Sequence, residues 1–368
     1  MLVSTSRSLR SLLCLGATVI AMALPAQAAL PYAQRPEVQA FIHEMAASHG
    51  FDAASLSSLF MGVQPDSHIL ELAAPPAAVR IKNWKSYRSR FLDPVHVKSA
   101  ADFWKRHAAD LDRAEKDYGV PASCIVGILG VETLYGRYMG RFPVLQSLVN
   151  LAFDYPDAPN REARVALFRQ QLAEFLLMCR EQHQDPHDYS GSFTGAIGIP
   201  QFLPGSIRAF AVDFDGDERL DLRGSEVDAI GSVARFLQMH GWERDKPVFW
   251  RVRMDASSRK VLEAKADGDP LPKHRLGDLI DAGLKLEAPS TAIAAEREAQ
   301  VILVDLPTPK KPTEYRVGFR NFYALTRYNR SFFYAETVAE LGLAAKALKE
   351  GGAKAVKTRR SRYSRIGG

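Results

Sequence analysis

With 368 residues, 46% of them hydrophobic and 24% charged, the chain can bury a sizeable core and has room for two or three domains, which excludes wholesale disorder. Its formal charge of +6 belongs to its ends: residues 346–368 hold eight Lys and Arg against Glu350, the leader adds Arg7 and Arg10, and the body between is slightly acidic. Nucleic acid is therefore not an expected partner, because such binders carry their basic residues on the folded body.

Arg7 and Arg10 precede an apolar run from Leu12 to Leu24, and Ala26-Gln27-Ala28 then offers a small-x-small cleavage site. Residues 1–28 are read as a secretory signal, removed ahead of Ala29. A membrane anchor is the alternative, but the run is short for a bilayer span. Leu12 and Leu13 are wrong for lipid attachment at Cys14, and no later segment is long and apolar enough to span. A soluble, monomeric protein of the periplasm is expected. Two cysteines remain, Cys124 and Cys179, each in an apolar helical context; they either pair or serve as buried thiols.

Most of the chain has helical period. Ala101 to Tyr118 places Phe103, Trp104, His107, Leu111, Ala114 and Tyr118 on one face, with Gly119 as the stop. Pro121 suits the first turn of the next helix, which runs through "IVGILGVETLYGRYMG" and is expected to end at Gly136. Glu132 is its lone carboxylate, in the closing turn, where the macrodipole disfavours negative charge. Apolar burial adds to that and raises the proton affinity. On local pattern alone Glu132 is more often a structural residue, paired with Arg137 or capping a group nearby.

Further helices are predicted over Val144–Phe153, Arg161–Gln182, Pro204–Val212, Glu226–His240 and Phe333–Lys349. In "GSFTGAIGIPQFLPGS", Gly195, Ala196 and Gly198 allow close backbone approach, while Ser192 and Gln201 offer directional hydrogen bonds. The stretch "DFDGDERLD" sets Asp213, Asp215 and Asp217 at alternating positions, then Arg219 for a backbone carbonyl, Leu220 as an apolar pin and Asp221, like the first part of an EF-hand loop. Its sixth position is Glu218 instead of Gly and its twelfth is Gly224 instead of Glu, so a solvated acidic turn is the competing reading. Between Trp242 and Gly318, "PVFWRVRMD", "AQVILVDLP" and "EYRVGF" are rich in β-branched and aromatic residues and predict strands. The basic tail from Lys346 is read as a solvated, mobile end, with a docking arm for anionic polymer or membrane as the alternative.

Together "GVETLYGRYMG", "SFTGAIGIPQFLPGS", "DAIGSVARFLQMHGW" and "NFYALTRYNRSFFYAETVAELG", in this order, resemble the membrane-bound lytic transglycosylase B family of peptidoglycan-cleaving enzymes. The likeness runs from about Tyr87 to Gly342. It implies a mainly α (α+β) fold: a lysozyme-like helical core with an N-terminal helical region and a small β-containing insert. The expected boundaries are 29–84 for the N-terminal region, 85–242 for the core with its EF-hand-like loop, 243–317 for the insert, 318–345 for the rest of the core, and 346–368 for the tail.

The resemblance also implies a chemistry for Glu132. Many glycosidases set two carboxylates across the scissile bond. Lytic transglycosylases need one, because the hydroxymethyl oxygen of N-acetylmuramic acid closes onto its own anomeric carbon and leaves a 1,6-anhydro end. Glu132 would protonate the leaving oxygen and then take the proton of that internal nucleophile. Matching motifs place Ser192, Gln201, Tyr87, Tyr328, Asn329 and Tyr334 around the sugars, where aromatic faces meet C–H groups. Phe236 and Leu167 stand where the family carries a Tyr, and each departure removes a hydroxyl. The family's calcium site, with an acid from the following helix, implies Asp213, Asp215, Asp217, Arg219 and Asp228 as its holders and a structural Ca2+; no cofactor is expected for catalysis. Glycan strands are the expected partner, with cell-wall synthesis or division proteins as candidates. Two other readings remain open: a hydrolytic muramidase using Asp154, Asp157 or Glu162 as second carboxylate, and a non-catalytic wall-binding protein.

Overall fold

The computed structural model describes residues 30–76, 78 and 81–351. The stretch read as a secretory signal and most of the basic tail lie outside the described residues. Sixteen α-helices, two 3-10 helices and six short strands account for the regular structure described, so the fold is mainly α. Among the described residues no helix is long and apolar enough to cross a membrane.

The helix Ala122–Thr133 lies at the centre of the larger core. It is apolar on every face, the signature of a helix surrounded by others. Ile125, Val126, Ile128 and Leu129 are wholly buried, each contributing about 1.5–3 kcal/mol. That gain offsets the cost of holding Glu132 near its end. The C-terminal helix, Phe332–Lys349, packs along it most intimately. A Cβ on Gly127 would lie 2.1 Å from the Val338 carbonyl oxygen, and one on Gly342 would lie 1.9 Å from that of Ser123. These two glycines let the backbones touch and so fix the axial register of the pair.

The N-terminal helices Pro36–His49, Ala53–Met61 and Ser67–Ala73 cover the far side of Val144–Phe153. Tyr32 and Arg35 tie this region down through Asp154, which accepts Tyr32 Oη at 2.5 Å and Arg35 Nη1 at 2.8 Å. Two small sheets complete the fold. Strands β1 (Phe142–Pro143) and β2 (Ser190–Gly191) form a two-residue antiparallel ladder. Strands β3 (Phe249–Arg251), β4 (His274–Arg275), β5 (Gln300–Leu306) and β6 (Glu314–Gly318) form a four-stranded antiparallel sheet in the order β3-β6-β5-β4. The strands fall inside the β-rich stretches read from the sequence, with β4 as an addition. One face of the sheet buries Val301, Leu303 and Val317 against the helices Ala256–Lys265 and Leu276–Asp281 in a second, smaller core.

Several boundaries differ from expectation. The predicted helix Ala101–Tyr118 is two helices, Pro94–Arg106 and Ala108–Tyr118, broken at His107. There the backbone leaves the helical region (φ −109, ψ 30), and the ring is held by Glu226, with Nε2 to Oε2 at 2.5 Å. A tertiary tie overrides the local period. The helix of Glu132 ends at Thr133, short of Gly136: Leu134 takes a left-handed conformation, and Leu134 and Tyr135 donate their N–H groups back to Gly130 and Leu129 in a Schellman closure. The helix expected to reach Val212 stops at Phe210. Cys124 and Cys179 are free and buried, which removes the disulfide alternative. Burial pushes both thiols up to about 12, so both stay protonated.

Candidate active site

Glu132 sits one residue before the end of its helix, and Thr133 fixes that end in space. The Thr133 hydroxyl donates to the Ile199 carbonyl at 2.8 Å and accepts the Gly136 N–H at 2.9 Å. The acid is thereby stapled to the loop that carries Gln201. Arg137 is exposed, and among the described residues Glu132 forms no ion pair or hydrogen bond with it, so the structural pairing considered for it is absent. Its partner is neutral: the Tyr334 hydroxyl donates to Oε1 at 2.6 Å. Burial raises the Glu132 carboxyl to about 7, and the Tyr334 hydrogen bond pulls it down by a smaller amount. Among the described residues no charged side chain shifts it.

Tyr334 stands in the first turn of the C-terminal helix, whose N-cap is Ser331. It is almost wholly buried and stacks on Tyr328, ring centroids 6.2 Å apart. Tyr328 donates its hydroxyl to the Pro200 carbonyl, closing a bridge between the C-terminal aromatic motif and the Gln201 loop. Tyr87 belongs to the short helix Trp84–Arg88 and packs on Phe333 at 5.6 Å. Burial, then the nearby Glu132 carboxylate, hold the phenols of Tyr87 and Tyr328 above their ordinary value, which places both rings in the electrostatic reach of the acid. Three tyrosines therefore surround Glu132, and all are neutral at neutral pH.

The other residues chosen from the sequence are placed less uniformly. Gln201, in a left-handed conformation (φ 53), donates Nε2 to the carbonyls of Gly198 at 2.8 Å and Met139 at 3.1 Å. Its amide oxygen has no intramolecular donor among the described residues. Ser192 Oγ accepts the N–H groups of Thr194 (3.2 Å) and Ala196 (3.0 Å) and meets Thr194 Oγ1 at 2.9 Å, so it shapes its own turn. Asn329 caps the helix Arg320–Tyr328, is exposed, and makes no side-chain hydrogen bond among the described residues. Phe236 is buried, with its ring 4.9 Å from Tyr328 and 5.5 Å from Phe202. A hydroxyl there would enter an apolar aromatic cluster. Leu167 is half-buried on the helix Arg161–Glu181.

Of the carboxylates considered as a second catalytic acid, Asp154 is committed to Arg35 and Tyr32. Asp157 and Glu162 are exposed. None of them perturbs Glu132. Thr133 and Ile199 were missed by sequence reasoning, since a staple between residues 66 apart leaves no local signal.

The acidic loop is well defined. Asp213, Asp215 and Asp217 converge, each offering an oxygen within 4.8 Å of the others, and all are exposed. Asp213 also accepts the N–H of Gly216 at 2.7 Å and of Glu218 at 2.8 Å, and Asp217 accepts that of Arg219 at 2.9 Å. Glu218 adopts the left-handed conformation (φ 67) for which an EF-hand uses Gly, so the departure from the motif is accommodated at the cost of local strain. Asp228 is placed otherwise than expected. It is fully buried and spends both oxygens on the loop's peptide groups, Phe214 and Asp215 on Oδ1 and Asp221 on Oδ2. Asp221 accepts from Arg223 and Gly224 and likewise stands outside the converging set. Three hard oxygen donors at this spacing fit a calcium ion.

The chain matches the family described as transglycosylase SLT domain over residues 33–343. It is 36% identical to the membrane-bound lytic murein transglycosylase B of Escherichia coli K12 over 326 residues, 85% of this chain and 83% of that protein. Among solved structures it resembles the soluble lytic transglycosylase SltB1 of Pseudomonas aeruginosa, with 40% identity and a TM-score of 0.76 over 86% of this chain and all of the other. It also resembles the Escherichia coli lytic transglycosylase Slt35 solved in complex with calcium, with 34% identity and a TM-score of 0.75 over 86% of this chain and 95% of the other.

Proposed function

The chain belongs to the transglycosylase SLT domain family, and on that premise we propose that it cleaves the β-1,4 bond between N-acetylmuramic acid and N-acetylglucosamine with Glu132 as sole acid and base. Like its relatives it is a lytic transglycosylase acting on peptidoglycan. The observation that carries the single-acid reading is the setting of Glu132: a half-buried carboxyl in apolar surroundings, raised to about 7, hydrogen-bonded by a neutral phenol and perturbed by no second carboxylate among the described residues.

Tyr334 occupies Oε1, so the proton resides on Oε2 and points away from the phenol. Oε2 donates it to the glycosidic oxygen as the muramic C1–O bond breaks and the glucosamine leaves with a free 4-hydroxyl. The muramic 6-hydroxyl then attacks C1, its proton returns to Glu132, and a 1,6-anhydro end forms without net consumption of water. Tyr334 stabilises the carboxylate between the two transfers. Proximity favours the internal hydroxyl, with effective molarities of about 10⁵–10⁸ M for well-oriented groups. The half-buried rings of Tyr87 and Tyr328 would face the sugars, Tyr334, almost wholly buried, would act through Glu132, and the free amide oxygen of Gln201 and exposed Asn329 would take the sugars' N–H and hydroxyl groups. Ser192 would act through the shape of its turn and its remaining proton. Mass spectrometry of released muropeptides tests this directly: anhydro ends are expected, and reducing ends would indicate a muramidase.

Because the donor must be protonated, turnover is expected to fall as pH rises through about 7. A profile of kcat against pH with no alkaline limb in that range would contradict the assignment.

The acidic loop would hold a structural calcium through Asp213, Asp215 and Asp217, with the Arg219 carbonyl as a further donor. Calcium at a hundredfold excess over its Kd should raise stability by about 2.7 kcal/mol, read as a higher Tm. Asp215→Asn should abolish the rise. A leader cleaved ahead of Ala29 would place the enzyme in the periplasm, where glycan strands are its substrate.

A further inference from the structure

Charged residues inside a core are costly, and this protein keeps a chain of them beside its active site. Arg316 on β6 is 4% exposed and donates Nε to Glu336 Oε1 at 2.7 Å. Glu336 is wholly buried on the C-terminal helix, and its second oxygen has no partner among the described residues. One turn further, Glu340 is 8% exposed and accepts from Arg88 and, at 2.9 Å, from Arg251 Nη2. Arg251 lies on β3, and Arg88 directly follows Tyr87.

The placement is what matters. Tyr334 and Glu336 are two residues apart, about 200° around the helix. One aims at Glu132 and the other at the sheet. The close contact with the Glu132 helix turns the face of Val338 and Gly342 toward it, and the ion pairs grip the opposite face, where they limit the rotation that remains.

We propose that Glu336 and Glu340 are positioning residues for Glu132: by docking the C-terminal helix onto β6 and β3 and onto the Tyr87 helix, they set the rotation that lays the Tyr334 hydroxyl on the acid. The inference rests on the role proposed for Glu132. The groups facing Glu132 are Tyr87, Tyr328 and Tyr334; those facing Glu336 are Arg316, Glu340 and Arg251. If the helix start rotates, Glu132 loses its phenol donor and binds its proton more tightly. The alkaline limb of kcat then moves to higher pH.

The test compares the full chain with Glu336→Gln, Tyr334→Phe, their double variant and Glu132→Gln, following kcat, KM and the pH profile on a defined soluble glycan. Glu336→Gln is expected to lower kcat about tenfold, with KM changed less than about twofold, and to move the alkaline limb in the same direction as Tyr334→Phe. The double variant should lose no more than Tyr334→Phe alone, the signature of one shared route. A limb that stays in place, with losses that multiply in the double variant, overturns the proposal and leaves the ion pairs a purely structural role. Should Glu336→Gln not fold, Arg251→Gln on the partly exposed edge of the network must give a smaller shift in the same direction, and an unmoved limb there is equally fatal. Turnover surviving in Glu132→Gln would refute the acid assignment itself; an inactive Glu132→Gln beside an unmoved Glu336→Gln limb refutes only the positioning.

Discussion

Glu132→Gln is expected to yield a folded protein that releases almost no glycan fragments, with kcat down by about 10²–10⁴ or more. Gln keeps the shape and can still accept from Tyr334, so binding should survive; what is lost is the exchangeable proton on Oε2. The same variant should be more stable than the wild type in alkaline solution. A carboxyl raised from 4.5 to about 7 in the folded state holds its proton more tightly there than in the unfolded chain. Its contribution is complete below the ordinary carboxylate value and is lost as pH rises through about 7, after which the buried charge costs up to about 3 kcal/mol. Gln never ionises. The Tm advantage of Glu132→Gln should therefore grow between about pH 5 and pH 8.5. Equal Tm differences at both ends, or a variant that still digests sacculi, would show that Glu132 is not the desolvated acid described here.

The largest loss of stability from a single methyl group is expected at Gly342→Ala. On helix propensity alone the change should help by about 1 kcal/mol. The new Cβ, however, would stand 1.9 Å from the Ser123 carbonyl oxygen. That obstacle is backbone, which no rotamer change can move aside, and overpacking of this kind costs about 1–3 kcal/mol and sometimes more. The steric term wins, and a net loss of about 2 kcal/mol or more is expected, measured by denaturant unfolding. Forcing the helices apart would also draw Tyr334 away from Glu132, so activity per folded molecule should fall as well. Gly342→Ala with unchanged midpoint and turnover would mean the helices do not pack backbone to backbone.

What the sequence disclosed depended on how local each determinant is. The helix Val144–Phe153 was legible residue for residue, because period and termini both lie within it. The strands β3, β5 and β6 were legible from β-branched and aromatic runs. The helix Ala256–Lys265 was not singled out, although Asp255 accepting from Ser258 is a capping signal of the ordinary kind. The break at His107 was hidden, since its cause, Glu226, is 119 residues away. Within the site, Glu132 was conspicuous as a lone acid in an apolar run, but Tyr334 entered only as a sugar-binding ring implied by resemblance to a family, and its contact with Glu132 across 202 residues was not foreseen. Arg316 and Glu336 look like surface charges in the sequence; only the fold reveals that they face each other in the dry.

Asp228 gives the acidic loop its curvature from within. With both oxygens bound to peptide N–H groups, the following helix bends the segment before any cation arrives, and the three outer aspartates already converge. Little ordering entropy is then left for an ion to overcome. Its office would be counter-charge, not scaffold: calcium would quiet the mutual repulsion of neighbouring acids, and chelation would leave a taut, negatively charged knuckle on the surface in place of an unravelled strap.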